Sequence, residues 1–223
     1  MPIPSHTALK QTEEYVQSLL LGEGSGHDWW HIYRVRNTAQ HLAKTEGGEM
    51  LVIELAALLH DIADRKFNDG NIVKGVKKVS EFLQSIKVDK KISDHVCEIV
   101  QTCSFASSFM SDGTRRIMST LEGKIVQDAD RLDAIGAIGI ARTFAYGGHK
   151  GSEIYNPAIK PVIITSTKQY TQGDTHSINH FYEKLLLLKD LMNTKTAQNM
   201  AKKRHTYMEQ FLKEFYAEWN SNS

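Results

Sequence analysis

The stretch that decides the fold is ELAALLHDIAD, residues 54–64. Its apolar residues recur with the spacing of a helix that faces a core, namely Leu55, Ala56, Leu58, Leu59 and Ile62. Yet His60, Asp61 and Asp64 lie within about one turn at the end of this predicted helix. Because burying an unpaired imidazole or carboxylate is costly, the cluster needs a compensating partner.

Composition narrows the class of protein. The chain has 223 residues, a formal net charge of +1, 41% hydrophobic and 24% charged residues, which is typical of a globular protein and gives no overall basic field for nucleic acid. No apolar run suggests a signal peptide or a membrane span. The two cysteines, Cys97 and Cys103, lie too far around one predicted helix to pair, which fits a reducing compartment. We expect a cytoplasmic protein that binds neither nucleic acid nor membrane.

Helical periodicity dominates the whole chain. It predicts helices over 7–21, 28–45, 50–63, 71–86, 89–104, 115–127, 131–146, 177–192 and 194–218. One long polar segment, 147–176, shows no clear helix and suggests a functional loop. Within it, PVIITS at 161–166 is the best strand candidate. The prediction is an all-α fold, a single helical bundle over 1–223 with a long polar loop before the C-terminal helices.

Three segments carry titratable groups inside apolar sequence. HDWWHIYRV offers His27 and His31, LLHDIAD offers His60 and Asp61, and VQDADRLDA offers Asp128, Asp130 and Asp133. Imidazole and carboxylate ligands without thiolate suit Mn, Fe, Co, Ni or Zn. A bound cation would explain why these charges are tolerated at the end of an apolar helix.

Each segment also has an ordinary structural explanation. A single helical histidine is more often a hydrogen-bonded core residue than a ligand. The aspartates of DADRLD are also the residues expected at the start of a helix, where they cap it or occupy its first turn. Taken together, the three segments favour a metal site.

With these motifs the chain resembles the HD-domain metal-dependent phosphohydrolases, whose signature is a His, a His-Asp pair and a distant Asp. The signature region covers about residues 27–135. WHIYRV matches the first element, AALLHDIAD the second and QDADRLDAIG the third. The resemblance implies the metal ligands His31, His60, Asp61 and Asp130. His31 is preferred because it begins an H-x-x-R-V turn, and Asp130 because Arg-Leu follows it.

The C-terminal half resembles a bacterial subfamily of small stand-alone HD hydrolases. The matching stretches are TFAYGGHKG and the helical completion over about 177–218. This subfamily resembles nucleotide pyrophosphohydrolases, which convert (deoxy)nucleoside triphosphates to monophosphate and pyrophosphate with a divalent metal. Mn²⁺ is favoured, with Mg²⁺, Co²⁺, Ni²⁺, Fe²⁺ or Zn²⁺ as options. HDIAD lacks the Glu-Asp pair of relatives that hydrolyse the alarmone's 3′-pyrophosphate, which weakens that assignment.

Further residues are candidates for the reaction and for substrate binding. Asp64 shares the face of the His60–Asp61 pair and is the candidate for orienting water or taking its proton, although it also fits an exposed helix end. Candidates for binding substrate are Arg34, Lys66, Tyr146, Lys150, His180 and Lys184. Several have a structural alternative: a salt bridge for Arg34, a helix cap for Tyr146 and a buried polar role for His180.

Other functions remain open at this level. The enzyme alternatives are a nucleoside monophosphate phosphomonoesterase and a (cyclic) nucleotide phosphodiesterase. The alternative from another class is a non-catalytic, metal-dependent sensor or scaffold, which a closed coordination shell would favour. The expected partner is a small-molecule nucleotide. The oligomeric state is undetermined, with a homodimer among the options.

Overall fold

The computed structural model describes residues 3–22, 28–63, 68, 70–105, 117–164, 166, 169 and 175–222. Within these residues the regular structure is helical and no strand occurs, which confirms the predicted all-α class. None of the described helices combines the length and apolarity needed to cross a membrane.

Nine α-helices and one 3-10 helix follow one another in the described residues. They are α1 Ser5–Leu20, α2 Trp29–Glu46, α3 Met50–Leu59, α4 Ile72–Ser85, α5 Lys90–Thr102, α6 Leu121–Asp133, α7 Gly136–Lys150, α8 Ser177–Glu183, the 3-10 helix Leu185–Leu191, and α9 Lys195–Trp219.

Helix α3 lies at the centre of the core. All its residues from Val52 to Leu59 are buried. Helices α1, α2, α5 and α6 pack around it, and α2 also packs along α6. Helix α9 crosses the C-terminal side, contacting α7, α6, α2 and the 3-10 helix. This packing brings residues from α2, α3 and α6 together although they are far apart in sequence.

Helix geometry explains which apolar residues of two segments enter the core. Adjacent helical residues point about 100° apart, so only one of the paired tryptophans should enter the core. Trp29 is 4% exposed and Trp30 is 56% exposed. The apolar face of the C-terminal segment is also in the core, with Ile178, Phe181, Leu185 and Leu188 all buried.

Helix α3 is shorter than the predicted 50–63 and ends at Leu59. His60 explains the stop, because its Nδ1 lies 2.8 Å from the Ala57 carbonyl, which in a continuing helix would accept from Asp61. The amide of Ile62 instead donates to Leu59 over three residues. The His60–Asp61 pair therefore lies in a turn rather than within the helix.

The predicted break at the aspartates was wrong. The sequence indicated one helix over 115–127 and another from 131, but α6 runs without interruption from Leu121 to Asp133. Thr120 caps its start by accepting from the amide of Gly123. Buried partners satisfy Asp128 and Asp133, so these residues do not end the helix as their low propensity suggested. Positions 106–116 lie outside the described residues.

The C-terminal half differs from prediction in three places. Helix α7 continues to Lys150, so Lys150 is its last residue and not part of a loop, and Gly151 follows in the left-handed conformation. The predicted helix 177–192 divides into α8 and a 3-10 helix, because Leu185 and Leu188 face the core at a spacing of three. Residues 161–164 form no strand, and the Val162 amide donates to Glu183.

Candidate metal centre

Helix α2 places the His31 side chain in the buried interior. Asp28 caps this helix, and its carboxylate accepts from the backbone amide of His31 at 2.9 Å. Such a cap satisfies an otherwise unpaired helix N-terminal donor and fixes the first turn. His31 is fully buried in that turn. His27, the alternative ligand in the same segment, lies outside the described residues.

The side chains of His60 and Asp61 extend from the turn after α3 towards His31. The His31 and His60 Nε2 atoms are 3.2 Å apart. The Asp61 carboxylate lies 3.5 Å from each of these nitrogens, through Oδ2 and Oδ1 respectively. Both His60 and Asp61 are 5% exposed.

Asp130 joins the cluster from the last turn of α6. Its Oδ1 lies 3.5 Å from His31 Nε2 and 3.9 Å from His60 Nε2. Three of these residues, His31, His60 and Asp130, each offer one ligand atom. These three atoms lie within 4.8 Å of one another. The structure thus brings together all four residues that the resemblance implied as ligands.

The hydrogen bonds of the two imidazoles determine which nitrogen faces the cluster. A backbone carbonyl only accepts, so the contact with Ala57 places the His60 proton on Nδ1. His31 Nδ1 lies 2.7 Å from the Asp133 carboxylate, which also accepts. In the neutral form that a metal ligand requires, both rings would therefore direct an Nε2 lone pair towards the space that they share with the two carboxylates. A divalent cation fits this donor set of two imidazoles and two carboxylates.

The Asp133 carboxylate accepts several hydrogen bonds next to the cluster. Its Oδ1 accepts from Arg34 Nε at 2.7 Å. Its Oδ2 accepts from Arg34 Nη2 and Arg142 Nη1, each at 3.1 Å, besides facing His31. Asp133 thus connects α2, α6 and α7 directly behind the candidate ligands.

The electrostatics favour the protonation states that a metal requires. Burial lowers the pKa of the His31 imidazole and the charge of Arg142 lowers it further, against the hydrogen bond to Asp133. Burial raises the pKa of the Asp133 carboxyl, but hydrogen bonds from His31 and Arg34 outweigh it and hold that pKa well below its usual range. A neutral imidazole beside an ionised carboxylate is the arrangement of metal-binding histidines.

The predicted substrate-binding residues differ in their surroundings. Arg34 lies beside the centre through its ion pair with Asp133. Lys150 is exposed on α7, with its Nζ 5.7 Å from the centroid of the Tyr146 ring. Lys184 lies 5.0 Å over the Phe105 ring, and His180 is half-buried on α8. Asp64 and Lys66 lie outside the described residues.

Two residues of this region, Arg142 and Asp133, carried no distinguishing signal in the sequence. Arg142 lies in the middle of α7 with no motif around it, and only the packing of α7 on α6 brings it to Asp133. Asp133 was one of three aspartates that its segment offered. The Arg-Leu pair after Asp130 pointed to Asp130 as the ligand, and no signal in the sequence assigned a role to Asp133.

Comparison with known proteins identifies the family. A model of the HD domain matches residues 29–135. Bacillus subtilis YpgQ is 40% identical over 210 residues, covering 92% of each chain. The chain belongs to the HD-domain hydrolase superfamily. The region that matches the HD domain begins at α2 and ends just after α6, so it contains all four candidate ligands.

Solved structures of HD-domain relatives agree in fold. A crystal structure of a Lactobacillus plantarum protein has a TM-score of 0.86 and 40% identity, covering 98% of this chain and 100% of that one. An HD-superfamily hydrolase from Bacillus thuringiensis has a TM-score of 0.74 and 46% identity, covering 97% and 99%. YpgQ in complex with ADP has a TM-score of 0.73 and 37% identity, covering 94% and 97%.

Proposed function

We propose that this HD-domain hydrolase is a divalent-metal-dependent enzyme that cleaves nucleotide phosphoanhydride bonds. The favoured reaction converts a (deoxy)nucleoside triphosphate to the monophosphate and pyrophosphate. The observation that carries the proposal is the convergence of two imidazole Nε2 atoms and two carboxylates from three remote segments. The complex of YpgQ with ADP supports a nucleotide as the ligand.

His31, His60, Asp61 and Asp130 would hold the metal, with Mn²⁺ favoured among divalent ions. When bound, such an ion makes water more acidic and neutralises charge on a phosphate. The chain contributes ligands that are pre-oriented: Asp133 and the Ala57 carbonyl fix the two rings, and burial excludes bulk water from three of the four side chains. Asp64 is proposed to orient the attacking water or accept its proton.

Positive side chains beside the centre support an anionic substrate. Arg34 and Arg142 both lie on Asp133, with 32% and 17% of their side chains exposed. Arg34 is proposed to reach a phosphate from this position. Lys66, Tyr146, Lys150, His180 and Lys184 remain proposed contacts for the rest of the nucleotide.

Hydrolysis products separate the proposal from its enzyme alternatives. Pyrophosphate release from a triphosphate supports it, whereas orthophosphate release from a monophosphate indicates a phosphomonoesterase. A cyclic or dinucleotide substrate that yields neither product indicates a phosphodiesterase. A protein that binds metal and nucleotide without turnover is a sensor or scaffold.

The test is a screen of metal ions against nucleotides with identification of each product. We expect activity with a (deoxy)nucleoside triphosphate that depends on added Mn²⁺ and disappears with chelator. Activity that is unaffected by chelator, or orthophosphate as the first product, would contradict the proposal.

A double variant, His60→Ala with Asp61→Ala, tests the site itself. It removes two of the four donors, so we expect near-total loss of activity while the far-ultraviolet helical signal mostly persists. The matched control is Lys90→Ala, which removes an exposed ion pair with Asp94 far from the centre in sequence. Activity retained in the double variant would exclude this metal site.

A further inference from the structure

We infer that Asp133 is a positioning residue that fixes the tautomer and orientation of His31, so that Nε2 faces the metal centre. This inference rests on the proposed function for its metal, but its geometry concerns only residues of this chain. Asp133 is 4% exposed, and its Oδ2 lies 2.7 Å from His31 Nδ1.

Arg34 and Arg142 fix the orientation of the Asp133 carboxylate. Arg34 Nε and Nη2 donate to separate oxygens of Asp133, and Arg142 Nη1 donates to Oδ2. A guanidinium has donors but no acceptor, so both oxygens of Asp133 are required as acceptors. The third donor on Oδ2 must then be the Nδ1–H of His31, so in the neutral imidazole Nε2 is the nitrogen that keeps its lone pair. A histidine held in this way by a carboxylate has a fixed ring and a more basic ligand atom.

An asparagine at position 133 cannot reproduce this arrangement. Asp133→Asn replaces one acceptor oxygen by an NH₂ group that opposes a guanidinium or the His31 N–H. Where the NH₂ donates to His31 Nδ1, the imidazole proton moves to Nε2 and the ligand lone pair is lost. The substitution is nearly isosteric, so it changes the hydrogen bonds with little change in packing.

The chain offers a matched control in Asp128, one turn and a half earlier on α6. Asp128 is also buried, and its carboxylate also accepts four hydrogen bonds, from the backbone and side chains of Asn193 and Thr194. These donors belong to the start of α9 and not to the metal centre. Asp128→Asn therefore perturbs a buried carboxylate on the same helix without touching His31.

The experiment measures Mn²⁺ affinity by calorimetry for the wild type and both variants. We expect Asp133→Asn to weaken Mn²⁺ binding about 10- to 100-fold. Asp128→Asn should lower the melting temperature but keep the Mn²⁺ affinity within about twofold, since its partners lie outside the centre. Equal Mn²⁺ affinity in Asp133→Asn and the wild type, or an equal loss in both variants, would overturn the inference.

A third variant separates orientation from charge. Asp133→Asn combined with Arg142→Gln removes one negative and one positive charge together. If Asp133 acts by orienting His31, this double variant still binds Mn²⁺ weakly. Recovery of wild-type affinity would show that Asp133 acts only through its charge and would overturn the inference.

A diamagnetic metal ion allows the tautomer of His31 to be observed directly. Nitrogen-15 correlation spectra of the protein loaded with Zn²⁺ distinguish a protonated imidazole nitrogen from a metal-bound one. We expect His31 to carry its proton on Nδ1 and to bind through Nε2, and a proton on Nε2 would overturn the inference. This result stands even if no nucleotide is hydrolysed, so failure of the proposed function and failure of this inference are distinguishable.

Discussion

The His60–Asp61 pair illustrates how one residue can both end a helix and build a site. The His60 ring donates to the Ala57 carbonyl, which in a continuing helix would accept from a backbone amide. Helix α3 therefore ends there, and the Asp61 carboxylate lies next to His31. The same bond places the His60 proton on Nδ1. Local hydrogen bonding thus turns the end of an apolar helix into a pair of candidate ligands directed towards one point.

Asp64 gives a prediction at the residue scale. If Asp64 orients water or accepts its proton, Asp64→Asn should keep metal binding and slow turnover, by about 100- to 10,000-fold for a general base. Calorimetry with Mn²⁺ and steady-state kinetics measure the two effects separately. Unchanged turnover would remove Asp64 from the reaction, and lost metal binding would make it a ligand instead.

The sequence located the candidate ligands better than it located their surroundings. His31, His60, Asp61 and Asp130 meet as the motif implied, because the motif records residues that must face one point. The roles of Arg142 and the orientation of Asp133 depend on how α7 packs on α6. Such long-range contacts leave no periodic signal in the chain.

At the scale of elements, α4 supports the turn that follows the ligand pair. Gly75 on α4 lies against this turn, and a Cβ atom there would collide with the Ala63 carbonyl oxygen and lie 2.6 Å from Asn68 Nδ2. Asn68 Nδ2 in turn donates to the Ile62 carbonyl at 2.8 Å. The absence of a side chain at Gly75 therefore lets α4 approach the backbone just after Asp61.

Gly75→Ala should consequently destabilise the protein by about 1–3 kcal/mol, the usual effect of overpacking. Urea unfolding followed by circular dichroism measures the change. The control is Gly148→Ala in α7, where an added Cβ meets nothing within 4 Å. Alanine should stabilise that helix by about 0.5–1 kcal/mol relative to glycine. Similar stability in the two variants would show that α4 does not restrain the turn.

The start of α9 is held by a carboxylate from α2. Glu46 accepts from the backbone amide of Thr196 at 2.7 Å, which satisfies an N-terminal donor of α9. Hydrogen bonds from the side chain and backbone of Thr196 lower the pKa of Glu46. Since the folded pKa lies below the unfolded one, ionised Glu46 stabilises the fold above the unfolded pKa, and this contribution is lost as the pH falls through the folded pKa.

Glu46→Gln should therefore destabilise the protein at neutral pH but not in acid. The expected difference at pH 7 is only about 0.5 kcal/mol, because the carboxylate is partly screened by solvent. It should shrink as the pH falls below the ordinary pKa of glutamate, about 4.3, and disappear below the lower pKa of the folded state. Melting temperatures of both proteins across this range test the sign. A difference that grows in acid contradicts the assignment.

Helix boundaries were the part of the fold that the sequence predicted least well. Apolar periodicity located α1, α2, α4 and α5 to within a few residues. It misplaced the end of α3, divided α6 and merged α8 with the 3-10 helix. At the end of α3 a local side-chain bond of His60 overrode helix propensity. In α6 the buried bonds of Asp128 and Asp133 did so, and those bonds come from remote segments that only the tertiary structure brings together.

On the scale of the whole molecule, metal binding and folding should be coupled. The candidate ligands come from α2, from the turn after α3 and from α6, so an ion held by all of them restrains three remote segments at once. A ligand that binds only the folded state adds stability by mass action. We therefore expect the free energy of unfolding to rise with the logarithm of the ion concentration relative to its Kd.

Mn²⁺ at one hundred times its Kd should add about 2.7 kcal/mol of stability. For a chain of this size that corresponds to a rise of about 5–10 °C in melting temperature. Differential scanning calorimetry with and without Mn²⁺ measures it. The variant with both His60→Ala and Asp61→Ala should show no rise, and an equal rise in that variant would place the bound ion elsewhere.

The most direct test is anomalous diffraction from crystals grown with Mn²⁺. We predict one strong anomalous peak bounded by His31 Nε2, His60 Nε2, Asp61 and Asp130. Absence of a peak at that position under saturating Mn²⁺, or a peak elsewhere with these side chains unchanged, would contradict the account.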